Sequence, residues 1–147
     1  MASPCAHRLR AGVLVAVLLA LALPAAAAGE RVISVGGALT EIVYRLDRSQ
    51  ALVAVDSTST HPPAARELPD VGYMRQLAAE PMLSLRPEHV LAVEDAGPPV
   101  TFDQLREAGV SVTRVPDDPT PAGIAAKVRT VARALDVEAR GRRLAQR

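Results

Sequence analysis

The stretch RVISVGGALTEIVYRL, residues 31–46, decides the fold of this chain. Its first five residues are rich in β-branched side chains, a composition typical of a buried strand. Gly36 and Gly37 end that run, and the apolar residues that follow recur at the spacing of a helix. The apolar face of this predicted helix consists of Leu39, Ile42, Val43 and Leu46. A strand that turns at glycines into an amphipathic helix predicts one unit of an α/β fold.

The same alternation of strand and helix continues along the chain. Further strands are predicted at residues 51–55, 90–93 and 110–115, and further helices at 77–85, 101–108 and 121–135. Thr101 and Thr120 are predicted to cap their helices, and Pro121 suits the first helical position. Strands that alternate with helices pair in parallel. The predicted fold class is therefore α/β, a Rossmann-like lobe in which helices flank a central parallel sheet.

The first 28 residues have the composition of a secretory signal peptide. Two arginines precede an apolar run at residues 11–23, and small residues precede the predicted cleavage after Ala28. That run is shorter than the roughly 20 residues that span a bilayer, which disfavours a membrane anchor. Cys5 lies before the run, whereas a lipoprotein cysteine follows it. The sequence therefore predicts export to the periplasm without a lipid anchor.

The composition and motifs argue against several classes of function. A formal net charge of +1 and an aromatic content of 2% do not suit a nucleic-acid-binding domain. A single cysteine excludes an internal disulfide and a cysteine metal cluster. Neither a Walker loop nor a dinucleotide-binding glycine pattern is present. Asp56, Ser57 and His61 contain the side chains of a catalytic triad but lack a nucleophile elbow, so the chain is not predicted to be an enzyme.

A polar loop of about 20 residues, 57–76, is the most unusual segment of the sequence, because loops of that length inside a domain are uncommon and usually functional. In open parallel sheets, ligands bind beyond the carboxyl ends of the strands. The other loops predicted at that edge are residues 36–37, 94–99 and 116–119. The sequence therefore predicts that the binding site lies among these four loops.

Tyr73 is the most informative residue of the long loop. Arg75 follows two positions later, and a cation beside a phenol favours its ionised form. Tyrosinate is an oxygen ligand that binds the iron of haem in some proteins. A tyrosine that packs on the edge of the domain is the alternative that the residues alone leave open.

From residue 31 onward, the chain resembles the first lobe of haem-binding proteins of ABC importers. The wider class also binds ferric siderophores and cobalamin. The matching segments are RVISVGGALTEIVY at 31–44, VDSTS at 55–59, LPDVGYMRQL at 68–77, residues 80–91, and AGPP at 96–99. The GYMR motif at 72–75 is the haem-specific part, and the remainder is shared more broadly.

This resemblance implies roles for four residues. Tyr73 is expected to bind the haem iron, and Arg75 to donate a hydrogen bond that keeps the ligand oxygen as phenolate. Glu80 is expected to dock into a basic pocket of the permease, although compensation of a helix N-terminus is an equal alternative. His61 stands where relatives often carry tyrosine, so it is either a second haem contact or a solvated loop residue. His89 is predicted to lie on the surface at the opposite edge of the sheet.

The resemblance also implies the organisation of the chain. Residues 1–28 are expected to be the signal peptide, 29–136 the N-terminal lobe, and 137–147 the truncated start of a helix that leads to a second lobe. The predicted function is capture of ferric haem by a monomeric periplasmic protein that delivers it to an ABC permease. The alternatives are a siderophore- or cobalamin-binding protein of the same fold, an exported sensor or interaction module, and a secreted α/β enzyme.

Overall fold

The computed structural model describes residues 30–146, so the predicted signal peptide lies outside the described residues. Four strands form one sheet in the order β2-β1-β3-β4, and every pairing is parallel. The strands are β1 Val32–Val35, β2 Leu52–Val55, β3 His89–Val93 and β4 Ser111–Val115. The helices are α1 Gly37–Arg45, α2 Ala79–Ser84, α3 Pro99–Glu107, α4 Pro121–Ala134 and α5 Glu138–Leu144. The predicted α/β fold class is confirmed.

The sheet is buried because its two central strands carry apolar residues on both faces. Every residue of β1 is buried, and β3 is buried from Val90 onward. The core is aliphatic apart from Phe102 of α3, which is completely buried. Because parallel strands need a crossover between them, the intervening helices cover the sheet and supply the rest of this core. None of the described helices has both the length and the apolar character required to cross a membrane.

Gly36 makes the tight turn from β1 into α1. Its φ angle is 114°, a value that side chains other than glycine rarely adopt. A Cβ atom at this position would also lie 2.7 Å from Cγ1 of Val93 at the end of β3. The turn therefore requires glycine for its conformation and for its close approach to the neighbouring strand.

The helix that was predicted to begin at Thr101 begins two residues earlier, at Pro99, and Pro98 occupies the N-cap position. Proline fits the first turn of a helix because its φ angle is already helical and the N–H that it lacks would have no partner there. Thr101 is therefore not a cap. Its hydroxyl is buried and donates to the carbonyl oxygen of Leu77 at 2.9 Å. Thr120 caps α4 as predicted, accepting from the amide of Gly123 at 3.0 Å.

The C-terminal helix α5 packs against α4 through a glycine. A Cβ atom on Gly141 would clash with Cβ of Ala132, so the two helices are in direct contact at this point. Arg140 fixes the other side of α5, where its guanidinium donates to the carbonyl oxygen of Leu46 at 2.9 Å. The segment that was predicted to begin a connecting helix is thus helical and belongs to the packing of this lobe.

Candidate ligand site at the carboxyl end of the sheet

The predicted site loops all emerge from one edge of the sheet, which we call the carboxyl-end face. It comprises the turn at 36–37 and the loops at 56–78, 94–98 and 116–120, which follow β1, β2, β3 and β4 respectively. The 56–78 loop contains a short 3₁₀ turn at Pro63–Glu67. It then returns alongside β2, where the amide of Val71 donates to the carbonyl oxygen of Val55 at 2.9 Å.

Tyr73 is held between two backbone anchors within this loop. On its N-terminal side, the amide of Ser57 donates to the carbonyl oxygen of Gly72 at 3.0 Å. On its C-terminal side, the amide of Gly97 donates to the carbonyl oxygen of Met74 at 2.8 Å. Gly97 belongs to the loop after β3, while Ser57 follows β2, and β1 lies between those strands. The segment that carries Tyr73 therefore crosses the end of β1.

Arg75 lies close to Tyr73 but hydrogen-bonds a different side chain. Its guanidinium donates to the carboxylate of Asp95 at 2.6 Å, and both side chains are largely exposed. This hydrogen bond raises the pKa of the Arg75 guanidinium, and the nearby Tyr73 adds a smaller effect in the same direction. The same contact lowers the pKa of the Asp95 carboxyl group. The Tyr73 hydroxyl makes no hydrogen bond within residues 30–146, so its oxygen is available to an incoming group.

Two exposed aliphatic side chains accompany Tyr73 in the segments that follow the carboxyl ends of the strands. Tyr73 is 44% exposed, Val100 near the start of α3 is 56% exposed, and Ile124 in the first turn of α4 is 52% exposed. These are the large hydrophobic side chains that the described part of the chain leaves exposed. All three residues belong to segments that follow the carboxyl ends of strands. We call the exposed side chains of Val100 and Ile124 the apolar rim of this face.

Asp56 organises the base of this face, which the sequence reasoning considered only as a member of a catalytic triad. The carboxylate is 1% exposed and accepts hydrogen bonds from the amide of Gly36 at 2.8 Å and the hydroxyl of Ser59 at 2.8 Å. It also accepts from the amide and the hydroxyl of Thr58. Ser59 contacts the hydroxyl of Thr40 in α1 at 2.8 Å. Asp56 therefore ties the long loop to the glycine turn, and its neighbours do not form a triad with exposed His61.

The two remaining predicted site residues make no hydrogen bond or ion pair with Tyr73 or Arg75 within residues 30–146. His61 is exposed in the long loop before the 3₁₀ turn, and its imidazole makes no hydrogen bond in the described part of the chain. Glu80 is exposed in the first turn of α2. It borders an open groove of about 470 Å³ between α2 and α3 that Leu83 and Gln104 also line. The structure thus brings Tyr73 and Arg75 together and leaves His61 and Glu80 as separate surface features.

Asp95 is the site residue that sequence reasoning missed. It lies two positions after β3, among the loops that the topology predicts at the ligand edge. An acidic residue at such a position was the available signal, but its pairing with Arg75 across 20 positions could not be read from spacing. Within residues 30–146, no group of three or more histidine, cysteine, aspartate or glutamate side chains is arranged to hold a metal ion.

Solved structures similar to this chain are binding proteins with two different ligands. The periplasmic heme-binding protein RhuT from Roseiflexus sp. RS-1 is 44% identical with a TM-score of 0.77, over 80% of this chain and 45% of that one. A periplasmic heme-binding protein from Pseudomonas aeruginosa is 39% identical with a TM-score of 0.76, over 80% and 42%. The periplasmic vitamin B12 binding protein BtuF of Vibrio cholerae is 29% identical with a TM-score of 0.70, over 80% and 46%.

The curated relatives include vitamin B12-binding proteins. That of Yersinia pestis (strain Pestoides F) is 37% identical over 92 residues, which are 63% of this chain and 32% of the relative. The chain thus spans about a third of the length of this relative and less than half of the solved ones. The model of the periplasmic binding protein family matches residues 32–147. This match covers more than half of the chain and agrees with its parallel sheet, so the chain belongs to the periplasmic binding protein family.

Proposed function

We propose that this chain is the haem-binding lobe of a periplasmic protein that supplies an ABC importer. The observation that carries the proposal is the exposed Tyr73, which is anchored on both sides and lies close to Arg75 on the carboxyl-end face. The heme-binding proteins among its structural relatives, at 38–44% identity, support the same ligand. Export to the periplasm after cleavage near Ala28 is part of the proposal.

Tyr73 supplies the chemistry expected for a ferric iron ligand. A phenolate oxygen binds ferric haem directly, and the phenol proton is released to solvent when that bond forms. Arg75 stabilises the resulting negative charge, because a cation beside a phenol favours the ionised form. The guanidinium has five N–H donors in a planar fork, so Arg75 can keep its hydrogen bond to Asp95 and still donate to the phenolate.

Val100 and Ile124 supply the apolar contact that a porphyrin requires. Burying an exposed aliphatic side chain stabilises a complex by about 1.5–3 kcal/mol when the side chain is fully covered. Both side chains are more than half exposed and lie on the same edge of the sheet as Tyr73. A flat, largely apolar ligand bound through its iron to Tyr73 would cover this rim.

Cobalamin is the second candidate ligand, because the vitamin B12-binding proteins are the curated relatives with 37% identity. In that case, Tyr73 would contact the corrin ring as part of the wall of the site and would not bind the metal. The two candidates therefore differ in the expected effect of removing the phenol oxygen, which would abolish iron ligation but would change cobalamin binding little.

The test is a visible-absorbance titration of the purified chain with ferric haem and, separately, with cobalamin. The chain contains only two tyrosines, so Tyr44→Phe on α1 is a matched control for Tyr73→Phe. We expect a saturable spectrum of tyrosinate-bound ferric haem in the unmodified chain and in Tyr44→Phe, and its loss in Tyr73→Phe. A haem spectrum that Tyr73→Phe leaves unchanged would contradict the ligand assignment, and saturable binding of cobalamin alone would favour the second candidate.

We propose that the protein is a monomer and that Glu80 contacts the permease. An exposed carboxylate beside an apolar groove suits a basic side chain, whose stem lies in the groove while its charge meets the carboxylate. The test is haem uptake by the reconstituted permease with Glu80→Gln and with Glu107→Gln, an exposed control at the end of α3. We expect only Glu80→Gln to reduce uptake while haem binding is retained. Equal uptake by both variants would contradict the docking role.

A further inference from the structure

Arg114 on β4 binds the loop that follows β3. Its guanidinium donates to the carbonyl oxygen of Ala96 at 2.8 Å and also to that of Glu94. The same group lies over the ring of Phe102, with its central carbon 4.2 Å from the ring centroid. One half-buried side chain therefore connects the third loop of the carboxyl-end face to the last strand and to the core.

The loop held by Arg114 is the one on which the Tyr73 segment rests. Gly97 follows directly after Ala96, and its amide donates to Met74 while its carbonyl oxygen accepts from the amide of Leu77 at 3.0 Å. Asp95 of the same loop binds Arg75. Three separate contacts thus join residues 74–77 to residues 95–97, and Arg114 fixes the carbonyl groups on either side of Asp95.

The partial burial of this arginine is costly for the fold. Burial lowers the pKa of the Arg114 guanidinium, and Nε is buried without a hydrogen-bond partner in the described part of the chain. A buried donor without a partner destabilises the fold, and an aliphatic side chain at the same place would avoid that cost. The two carbonyl contacts are the specific gain that arginine offers here.

We propose that Arg114 is a positioning residue for the ligand site, which acts on Tyr73 through the 94–97 loop. The inference rests on the proposed function in that Tyr73 is taken as the ligand. Replacing a residue that supports and orients a metal ligand typically changes metal affinity by about 10- to 100-fold. Arg114 makes no hydrogen bond to Tyr73, so its effect on the ligand would pass through the 94–97 loop and its contacts with residues 74–77.

Arg31 provides a matched control at the opposite end of the sheet. Its guanidinium also binds two successive carbonyl groups, donating to Leu85 at 2.7 Å and to Arg86 at 3.0 Å. Arg31 precedes β1, whereas Arg114 lies near the carboxyl end of β4. Lysine at either position keeps the charge but cannot reproduce the planar fork. Arg31→Lys therefore reports what the loss of such a clamp does to the fold alone.

The experiment has one arm without haem and one arm with it. In the haem-free chain, amide hydrogen exchange of Gly97 and Leu77 is measured for Arg114→Lys and Arg31→Lys, at a temperature where circular dichroism shows both variants folded. We expect exchange at these two amides to accelerate only in Arg114→Lys. In the haem titration, we expect Arg114→Lys to weaken binding by about tenfold, with a smaller tyrosinate band, and Arg31→Lys to match the unmodified chain.

The inference is wrong if Arg114→Lys and Arg31→Lys agree in exchange at Gly97 and Leu77, or if they give the same haem affinity and spectrum. Arg114→Met, which keeps the stem over Phe102 without any donor, replaces the lysine variant if that variant does not fold. A failure of the proposed function is recognised separately, because it appears as a haem spectrum in the unmodified chain that Tyr73→Phe does not change.

Discussion

Asp56 shows how a single buried charge organises the end of the sheet. A carboxylate that is 1% exposed would be strongly destabilising without partners. It is acceptable here because four donors from three residues surround it, including the amide of the Gly36 turn. The loop after β2 and the turn after β1 therefore depend on one side chain.

We expect Asp56→Ala to lower the free energy of unfolding by about 3 kcal/mol, because buried donors lose their acceptor and hydrogen bonds to charged groups are among the stronger ones. Denaturant unfolding followed by circular dichroism measures this change. Asp103→Ala is the control, since Asp103 is exposed and pairs with Arg106 on the same helix. That control is expected to change stability by less than about 0.5 kcal/mol. Equal effects of the two substitutions would contradict the organising role.

We expect His89 to make the stability of the lobe sensitive to acid. It lies at the start of β3, at the predicted edge of the sheet, but it is half-buried and not fully on the surface. Its Nε2 atom contacts the hydroxyl of Thr113 at 2.9 Å. Burial lowers the pKa of this imidazole, an effect that nearby Glu30 opposes. Below the unfolded pKa of about 6.5, the unfolded chain takes up the proton more readily than the folded chain. Stability contributed by the neutral form is therefore lost as the pH falls below that value.

We expect the free energy of unfolding to fall less steeply between about pH 6.5 and pH 5 in His89→Gln than in the unmodified chain. Urea unfolding across this pH range measures the slope. The substitution also removes the contact to Thr113, so the test concerns the slope and not the stability at neutral pH. An identical acid dependence in both chains would show that His89 is not the group responsible.

The chemistry of the site could be anticipated from the sequence at some residues and not at others. Tyr73 and Arg75 are close in sequence, so their proximity followed from the local chain. Asp95 and Arg114 act through partners about 20 positions away, and nothing in the spacing of a single sequence specifies such pairs. Side chains whose role depends on a tertiary partner are therefore the ones that sequence reasoning misses here.

At the scale of elements, the pattern of apolar residues and turn residues predicted the four strands and helices α1 to α4, because burial on the sheet imposes a periodicity. It did not indicate the 3₁₀ turn at Pro63–Glu67, which lies in a segment predicted as a loop. The boundaries differed where local chemistry competes with the pattern. Helix α3 begins at Pro99 and not at Thr101, because proline favours a helix start. Helix α2 is confined to Ala79–Ser84, shorter than the predicted 77–85. The backbone of Leu77 instead joins the Gly97 loop, which the pattern of apolar residues could not indicate.

The contact between α4 and α5 gives a prediction with an unusual sign. Replacing a helical glycine by alanine normally stabilises an exposed helix by up to about 1 kcal/mol. At Gly141, the added methyl group would clash with Ala132, so we expect Gly141→Ala to lower the free energy of unfolding. Thermal unfolding measures the direction of the change. A stabilised variant would mean that the two helices are not in close contact.

At the scale of the whole molecule, the apolar residues that support the fold are distinct from the apolar residues that are left exposed for a ligand. The buried apolar residues form one core cluster that includes the strands, whereas the large hydrophobic side chains left exposed in residues 30–146 belong to segments that follow the carboxyl ends of strands. Exposed apolar side chains at this edge are available to an apolar ligand, because ligands of open parallel sheets bind beyond the carboxyl ends of the strands. The position of the ligand face could be predicted from the topology, because parallel strands place all their carboxyl ends on one edge of the sheet. Which residues stay exposed there could not be predicted, because that depends on how the start of each helix packs.

That separation predicts opposite effects for threonine substitutions at exposed and at half-buried apolar positions. Val100→Thr, combined with Ile124→Thr, removes apolar contact from exposed positions, so we expect haem affinity to fall by about tenfold with little change in stability. Val112→Thr introduces a hydroxyl at a half-buried position of β4, so we expect it to lower stability and leave haem affinity unchanged. The absorbance titration and denaturant unfolding measure the two quantities on the same preparations. If the double variant loses stability but binds haem as tightly as the unmodified chain, the exposed rim serves the fold and does not contact the ligand.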